Sequence, residues 1–105
     1  MSASCVIVLT TFPADGDAEA LARTIVDERL AACVNLLPPM QSVYRWEGKV
    51  EQAAERQLVI KTMADRVEQL KARLTELHPY DVPEFLVIKV SDGSESYLRW
   101  VEESV

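Results

Sequence analysis

The order of hydrophobic and polar positions near the start of the chain predicts a strand followed by a helix. Residues 5–11 are mostly apolar or β-branched, which is typical of a central strand covered on both faces. Polar and turn-forming residues follow at 13–17. Four apolar residues then recur at helical spacing: Ala18, Leu21, Ala22 and Ile25. This stripe predicts an amphipathic helix that extends to about Leu30.

The middle of the chain has the pattern of an interrupted strand. Strand character returns at Val34–Leu37 and again at Gln41–Trp46, with Pro38 and Pro39 between them. Proline cannot donate a hydrogen bond to a neighbouring strand, so we expect a bend or a bulge at this point. The two parts are otherwise predicted to form one strand.

A long β-hairpin is predicted over residues 41–62. Glu47-Gly48-Lys49 forms the tight connection, and Leu58, Ile60 and Thr62 alternate with other residues along the second arm. The polar stretch Glu51–Glu55 fits this strand less well, and the pattern leaves open a helical turn there.

The last third of the chain predicts two helices separated by a strand. Thr62-Met63-Ala64-Asp65 resembles a capping box that opens the first of them, and its apolar stripe ends before Pro79. Phe85–Val90 has strand character. Asp92-Gly93-Ser94-Glu95 resembles a second capping box, which would begin a short final helix.

This element order predicts the fold class. The order β-α-β-β-α-β with an added C-terminal helix indicates an α+β, ferredoxin-like sandwich, in which two helices cover one face of a four-stranded antiparallel sheet. The 105 residues are expected to form a single domain, 1–105. The hairpin is too long for such a sheet, and Tyr44 and Trp46 lie near its tip. We therefore expect a homo-oligomer built partly by sheet extension. The alternative is a hairpin that folds over its own core.

Composition narrows the possible partners. The net charge of −6 and the pI near 4.7 disfavour binding to nucleic acid. The N-terminal apolar run is too short and too soon polar for a membrane span or a signal peptide, so a cytoplasmic protein is expected. Cys5 and Cys33 both lie in apolar stretches, where buried free thiols are expected, although a disulfide stays possible.

The motifs of common enzyme classes are missing from the sequence. With three glycines, one histidine and no Cys-x-x-Cys pair, the chain has no glycine-rich phosphate loop, no His-rich metal site and no zinc motif. An acylphosphatase-like hydrolase of the same fold is an alternative, but no glycine-rich turn follows the first strand. The sequence therefore predicts a protein that is not an enzyme.

The segment from His78 to Glu84 is the most distinctive polar cluster. It places the only imidazole close to a phenol and two carboxylates, with Pro79 and Pro83 stiffening the backbone. Imidazole and carboxylate together suit Cu(II), Zn(II) or Ni(II). Two protein ligands make a weak site unless a neighbouring chain completes it. Alternatively, His78 caps its helix, where the dipole favours an imidazolium. Lys61, in an apolar strand, is either an edge residue or a cation directed into a cleft.

Four motifs spread over the chain resemble the CutA divalent-cation tolerance family. They are Glu28–Asn35, Ser42–Lys49, Ile60–Thr62 and His78–Glu84. The resemblance implies a ferredoxin-like subunit in a homotrimer similar to the PII signal-transduction proteins. It also implies binding of copper or another divalent cation, a role in metal tolerance, and no catalytic activity.

The resemblance also implies the site residues. Ligand-binding positions at clefts between subunits would be Trp46, Glu47, Lys61, Tyr80 and Glu84, and metal ligands would be His78 and Glu84. Some bacterial members of the family have a cysteine and a further histidine where this chain has Thr10 and Leu77. We therefore expect weak binding of a divalent cation such as Cu(II), and no tightly bound cofactor. The alternative function is a PII-like signalling module that binds a small anionic ligand through Lys61.

Overall fold

The computed structural model describes residues 4–105, which form five strands and three α-helices. In chain order the elements are β1 (Cys5–Pro13), α1 (Ala18–Asp27), β2 (Cys33–Leu36), β3 (Met40–Trp46), β4 (Lys49–Met63), α2 (Val67–Leu77), β5 (Leu86–Lys89) and α3 (Glu95–Ser104). A short 3-10 turn, Ala64–Arg66, leads into α2. The mixed α+β class with an antiparallel sheet agrees with the sequence prediction.

The sheet has β1 and β4 at its centre. Its strand order is β2-β4-β1-β5, all pairs are antiparallel, and β3 pairs with the outer half of β4. Helices α1 and α2 cover one face, where their side chains pack against the inward residues of β1 and β4. The core of this layer includes Val6, Val8, Phe12, Leu21, Ile25, Leu58, Ile60, Leu70 and Leu74. This packing requires the alternation of buried and partly exposed residues along β1.

The predicted second strand is two strands, and the sheet therefore has five strands instead of four. β2 pairs with β4 up to Leu36 opposite Leu58, and β3 resumes at Met40 opposite Glu55. Three residues thus face two on β4, which is the bulge expected at the two prolines. The Arg56 guanidinium donates to the Leu37 carbonyl at 2.9 Å, so this irregular backbone retains a hydrogen-bond partner.

The hairpin itself is as long as predicted. β4 runs unbroken for 15 residues, so the polar stretch Glu51–Glu55 is part of the strand. The helical turn that the sequence pattern left open there is not formed. Glu47 and Gly48 both have positive φ, at 50° and 80°, as a two-residue hairpin turn requires. The hairpin makes the chain elongated, with extents of 46 × 26 × 24 Å.

Helix α1 ends three residues earlier than predicted. Arg29 has a φ of 61°, and the amides of Arg29 and Leu30 donate to the carbonyls of Val26 and Ile25. This pair of bonds is the pattern that ends many helices with a left-handed residue, usually glycine. An arginine occupies that position here, so the sequence lacked the usual signal for the end of the helix.

The two predicted capping boxes are wrong. Thr62 is fully buried inside β4, and its hydroxyl donates to the Leu30 carbonyl at 2.8 Å, so it is not available to cap α2. Ser94 does precede α3, but its side chain makes no capping bond. The neighbouring Asp92 carboxylate instead accepts from the Gly93 amide at 2.8 Å. β5 is one residue shorter at each end than predicted.

The face of the sheet opposite α1 and α2 is largely uncovered, and we call it the open face. Its apolar side chains come from three neighbouring strands: Ile7 and Leu9, Val59, and Leu86 and Ile88. Helix α3 covers only one end of the open face, where Val101 packs with Ala32 and Met63. Leu86 and Ile88 are therefore about half exposed, at 55% and 49%.

None of the helices in residues 4–105 combines the length and the hydropathy that crossing a lipid bilayer would require.

Candidate functional site

A cleft of about 700 Å³ lies between the β3–β4 hairpin and the loop that follows α2. Three segments line it: the end of β1, the hairpin arms, and loop residues 79–84. The lining residues are Thr11, Met40, Ser42, Tyr44, Trp46, Glu55, Gln57, Pro79, Tyr80, Asp81, Val82, Pro83 and Glu84. The volume is in the range that small-molecule sites occupy in proteins.

His78 attaches the loop to the sheet from behind the cleft. Its Nδ1 accepts from the Tyr80 amide at 3.1 Å, and its Nε2 lies 2.6 Å from the Thr11 carbonyl oxygen. An amide can only donate and a carbonyl can only accept, so the ring is the neutral tautomer that carries its proton on Nε2. The ring is buried and contacts the rings of Phe12 and Tyr80, with centroids 5.1 and 4.8 Å away.

Tyr80 forms the second attachment. Its hydroxyl donates to the Glu55 carboxylate on β4 at 2.7 Å, and Glu55 is only 7% exposed. Burial and the hydrogen bond to the charged Glu55 raise the pKa of the Tyr80 phenol well above its usual range. The phenol therefore stays neutral and remains a donor to Glu55.

Gln57 forms the third attachment. Its side-chain amide donates both to the Thr10 carbonyl at 2.8 Å and to the Glu84 carboxylate at 2.9 Å. Both N–H groups of this amide are thus used. Glu84 is held at the edge of the cleft by one of its two oxygens. The loop is consequently ordered by three polar contacts to β1 and β4 and by the two prolines.

The raised pKa of Tyr80 predicts a loss of stability in alkali. Below about pH 10 the phenol is neutral in both folded and unfolded chains. Above that pH the unfolded chain loses the proton first, so the free energy of unfolding falls, by at most about 1 kcal/mol per pH unit for a partly solvated phenol. Urea unfolding at rising pH should show a smaller loss for Tyr80→Phe than for the wild type. Tyr97→Phe on α3 is the control, and a Tyr80→Phe curve parallel to the control would contradict the prediction.

The structure brings together only some of the predicted site residues. Trp46, Tyr80 and Glu84 line the cleft. Glu47 lies in the hairpin turn, where its side chain is not part of the lining. Lys61 lies on the open face, away from the cleft, and its ammonium group donates to the Asn35 side chain. The register explains this, because Lys61 lies on the same face of β4 as Gln57 but further along the strand, opposite Ile7 instead of Thr11.

Metal ligation by one chain has little support in this geometry. Residues 4–105 hold no group of three or more His, Cys, Asp or Glu side chains that could surround an ion. Both nitrogens of His78 already have protein partners. The two cysteines are free, and burial raises the pKa of the Cys5 thiol, which disfavours the thiolate form that binds copper. The donors within residues 4–105 of one chain therefore do not form a closed copper centre.

The sequence analysis did not identify Glu55 and Gln57 as site residues, although both line the cleft. Glu55 ends the polar stretch Glu51–Glu55, for which a helical turn was left open, and nothing local indicated that Glu55 is buried. The one available signal is the alternation of side chains along a strand. Glu55 and Gln57 are two residues apart, so they lie on the same face once this segment is known to be part of β4.

The sequence matches the family described as CutA1 divalent ion tolerance protein over residues 6–104. The chain belongs to this family. A divalent-cation tolerance protein CutA from Pectobacterium atrosepticum is 46% identical over 100 residues, which cover 95% of this chain and 91% of that protein.

Solved CutA structures have the same fold. CutA1 from Oryza sativa superposes with a TM-score of 0.94 at 38% identity, covering 99% of this chain and 95% of that one. A protein from Archaeoglobus fulgidus, described as a periplasmic divalent cation tolerance protein CutA, gives a TM-score of 0.91 at 30% identity, with 95% and 97% covered. The resemblance inferred from the four sequence motifs is confirmed.

Proposed function

We propose that this member of the CutA1 family is a non-enzymatic homotrimer that binds a divalent cation, such as Cu(II), at the cleft. The observation that carries the proposal is the charge of the cleft. Its lining includes the carboxylates of Glu55, Asp81 and Glu84, and the described lining residues include no lysine, arginine or histidine. Hard and borderline divalent cations favour such oxygen donors.

Several chains are needed for a complete site under this proposal. Since one chain supplies too few donors, the cation would have to share ligands from neighbouring subunits or keep water in its shell. Glu84 is the best candidate ligand, because it lies in the cleft and only one of its oxygens accepts from Gln57. His78 would first have to give up its bond to Thr11 or Tyr80. We therefore expect weak binding.

The homotrimer is supported by the open face and by the edges of the sheet. β5 is an edge strand with a free side, and the open face presents apolar side chains from β1, β4 and β5. The hairpin adds exposed Val43 and Val50, which lie on the face of the hairpin opposite to Tyr44 and Trp46. Chain association would cover both surfaces. The position of β1 between β4 and β5, with α1 and α2 on one face, supports a ferredoxin-like description of each subunit.

Titration calorimetry with Cu(II) tests the metal site. Glu84→Gln removes the charge but keeps a similar shape, and it is expected to weaken Cu(II) binding about tenfold. Glu51→Gln is the matched control, because Glu51 is an exposed carboxylate on the same strand as Glu55 but outside the lining. Equal affinities for the two variants would refute the assignment of the ion to Glu84.

His78 is tested in the same titration. If His78→Ala, kept well below its unfolding temperature, gives the wild-type isotherm, then His78 has no metal role. A weaker isotherm would not separate a ligand role of the ring from loosening of the loop that carries Glu84, so the unchanged isotherm is the deciding result.

The anionic-ligand alternative has no observation in its favour at this cleft. Lys61, its predicted cation, lies on the open face. A cytoplasmic location is part of our proposal and is supported by the two free cysteines, which suit a reducing compartment.

A further inference from the structure

The cleft has an aromatic lining that binding of a bare metal ion does not explain. Tyr44 and Trp46 on β3 and Tyr80 on the loop all contribute to it. Tyr44 and Trp46 are 43% and 46% exposed, so a large part of each ring contacts solvent in the isolated chain. The quadrupole of an aromatic ring places partial negative charge on its faces. Such faces attract organic cations more strongly than neutral molecules.

The carboxylates of the cleft have no cationic partner within the described chain. The ion pairs of residues 4–105 are Arg56–Glu19, Arg73–Glu28, Arg73–Glu76 and Arg99–Glu95. Glu55, Asp81 and Glu84 take part in none of them. Glu55 is the most telling of the three, because it is nearly buried and its bond from Tyr80 comes from a neutral hydroxyl. Buried charge of this kind is stabilised when a cation comes close.

The size of the cleft also exceeds the needs of an ion. A volume of about 700 Å³ holds a molecule of many heavy atoms. Rings along the hairpin and carboxylates along the loop and β4 together match a ligand with a positive head and an apolar body. The protein's net charge of −6 adds attraction for cations and repulsion for anions.

We propose that the cleft binds a small organic cation, an ammonium group attached to an aromatic or aliphatic body. The carboxylates of Glu55, Asp81 and Glu84 compensate its charge, and Tyr44 and Trp46 contact its apolar part and its N-methyl or N–H groups. This inference rests on the proposed function in that it uses the same cleft, but it depends on the rings, which metal binding does not require.

Titration calorimetry with benzyltrimethylammonium tests the proposal. We expect saturable binding in the submillimolar range, and at least about tenfold weaker binding of hydrocinnamate, an anion of similar size. Tyr44→Leu should weaken binding of the cation about fivefold, whereas Tyr44→Phe, which keeps the ring, should bind nearly as the wild type does. Tyr97→Leu is the matched control, since Tyr97 is also 43% exposed but lies on α3.

Three results would overturn the proposal. The first is hydrocinnamate binding as tightly as the cation. The second is equal effects of Tyr44→Leu and Tyr97→Leu. The third is no binding at millimolar cation.

The Cu(II) titration separates this inference from the proposed function. Binding of benzyltrimethylammonium without binding of Cu(II) would refute the metal proposal and leave the organic-cation proposal standing. Binding of Cu(II) without binding of benzyltrimethylammonium would refute only the organic-cation proposal. Tyr44→Leu should affect the Cu(II) isotherm less than Glu84→Gln does, because the proposed ion is held by carboxylate oxygens and loses none of them in Tyr44→Leu.

Discussion

Replacing Ile88 with aspartate is expected to convert the proposed trimer into single chains at micromolar concentration. Ile88 lies on β5 opposite Ile7, in the middle of the open face, and is 49% exposed in the isolated chain. If the open faces of three chains pack together, the substitution places three unpaired carboxylates at one interface. Each buried charge without a partner costs several kcal/mol, so the association constant should fall by more than about 100-fold.

Light scattering after size exclusion measures this change. Val26→Asp is the matched control, because Val26 is a comparably exposed apolar residue, at 39%, on α1, beyond the opposite face of the sheet. The Val26→Asp variant should keep the molar mass of a trimer. A wild-type mass of one chain would refute the trimer, and an unchanged mass for Ile88→Asp would exclude the open face from the interface.

Replacing His78 with alanine is expected to lower the free energy of unfolding by about 3 kcal/mol. The change removes a buried ring from contact with Phe12 and Tyr80. It also leaves the Thr11 carbonyl and the Tyr80 amide without their present partners. Because those two bonds attach the loop to β1, the loss of order should be largest at residues 79–84.

Urea unfolding at a fixed chain concentration gives the magnitude, since the stability of an oligomer depends on concentration. Thr75→Ala on the exposed side of α2 should cost less than about 0.5 kcal/mol and serves as the control. Hydrogen exchange locates the effect. A cost below about 1 kcal/mol, or protection of the loop amides unchanged from the wild type, would contradict the structural role of the ring.

Much of the fold was predictable because its signals are local. The alternation of Leu58, Ile60 and Thr62 and the helical spacing of Leu21 and Ile25 follow directly from which side chains must face the core. The errors arose where distant contacts decide the outcome. Thr62 matched a helix cap in sequence, but its hydroxyl bonds to the Leu30 carbonyl, 32 residues away. Arg29 takes a conformation usually given to glycine, which no spacing rule indicates.

The site was less predictable than the fold, for the same reason. The loop from His78 to Glu84 could be identified from its composition, and Trp46, Tyr80 and Glu84 do meet at the cleft. The role of His78 could not be read from the sequence, because its partners are backbone groups whose positions only the folded chain defines. Glu55 is similar, since its hydrogen-bond partner, the Tyr80 hydroxyl, lies 25 residues away along the chain.

The strand register has a consequence for the order in which the chain can fold. β3 and β4 are adjacent along the chain, so the hairpin can form within microseconds by closing one short turn. β1 instead pairs with partners 42 to 58 residues away on β4, and with β5, whose Lys89 faces Val6. Closing such long loops has an entropic cost that precedes any gain from packing, and chains of this topology fold in milliseconds or longer. A newly made chain therefore forms the hairpin early, while β1 stays incompletely paired until β5, which follows it by more than 70 residues, is available.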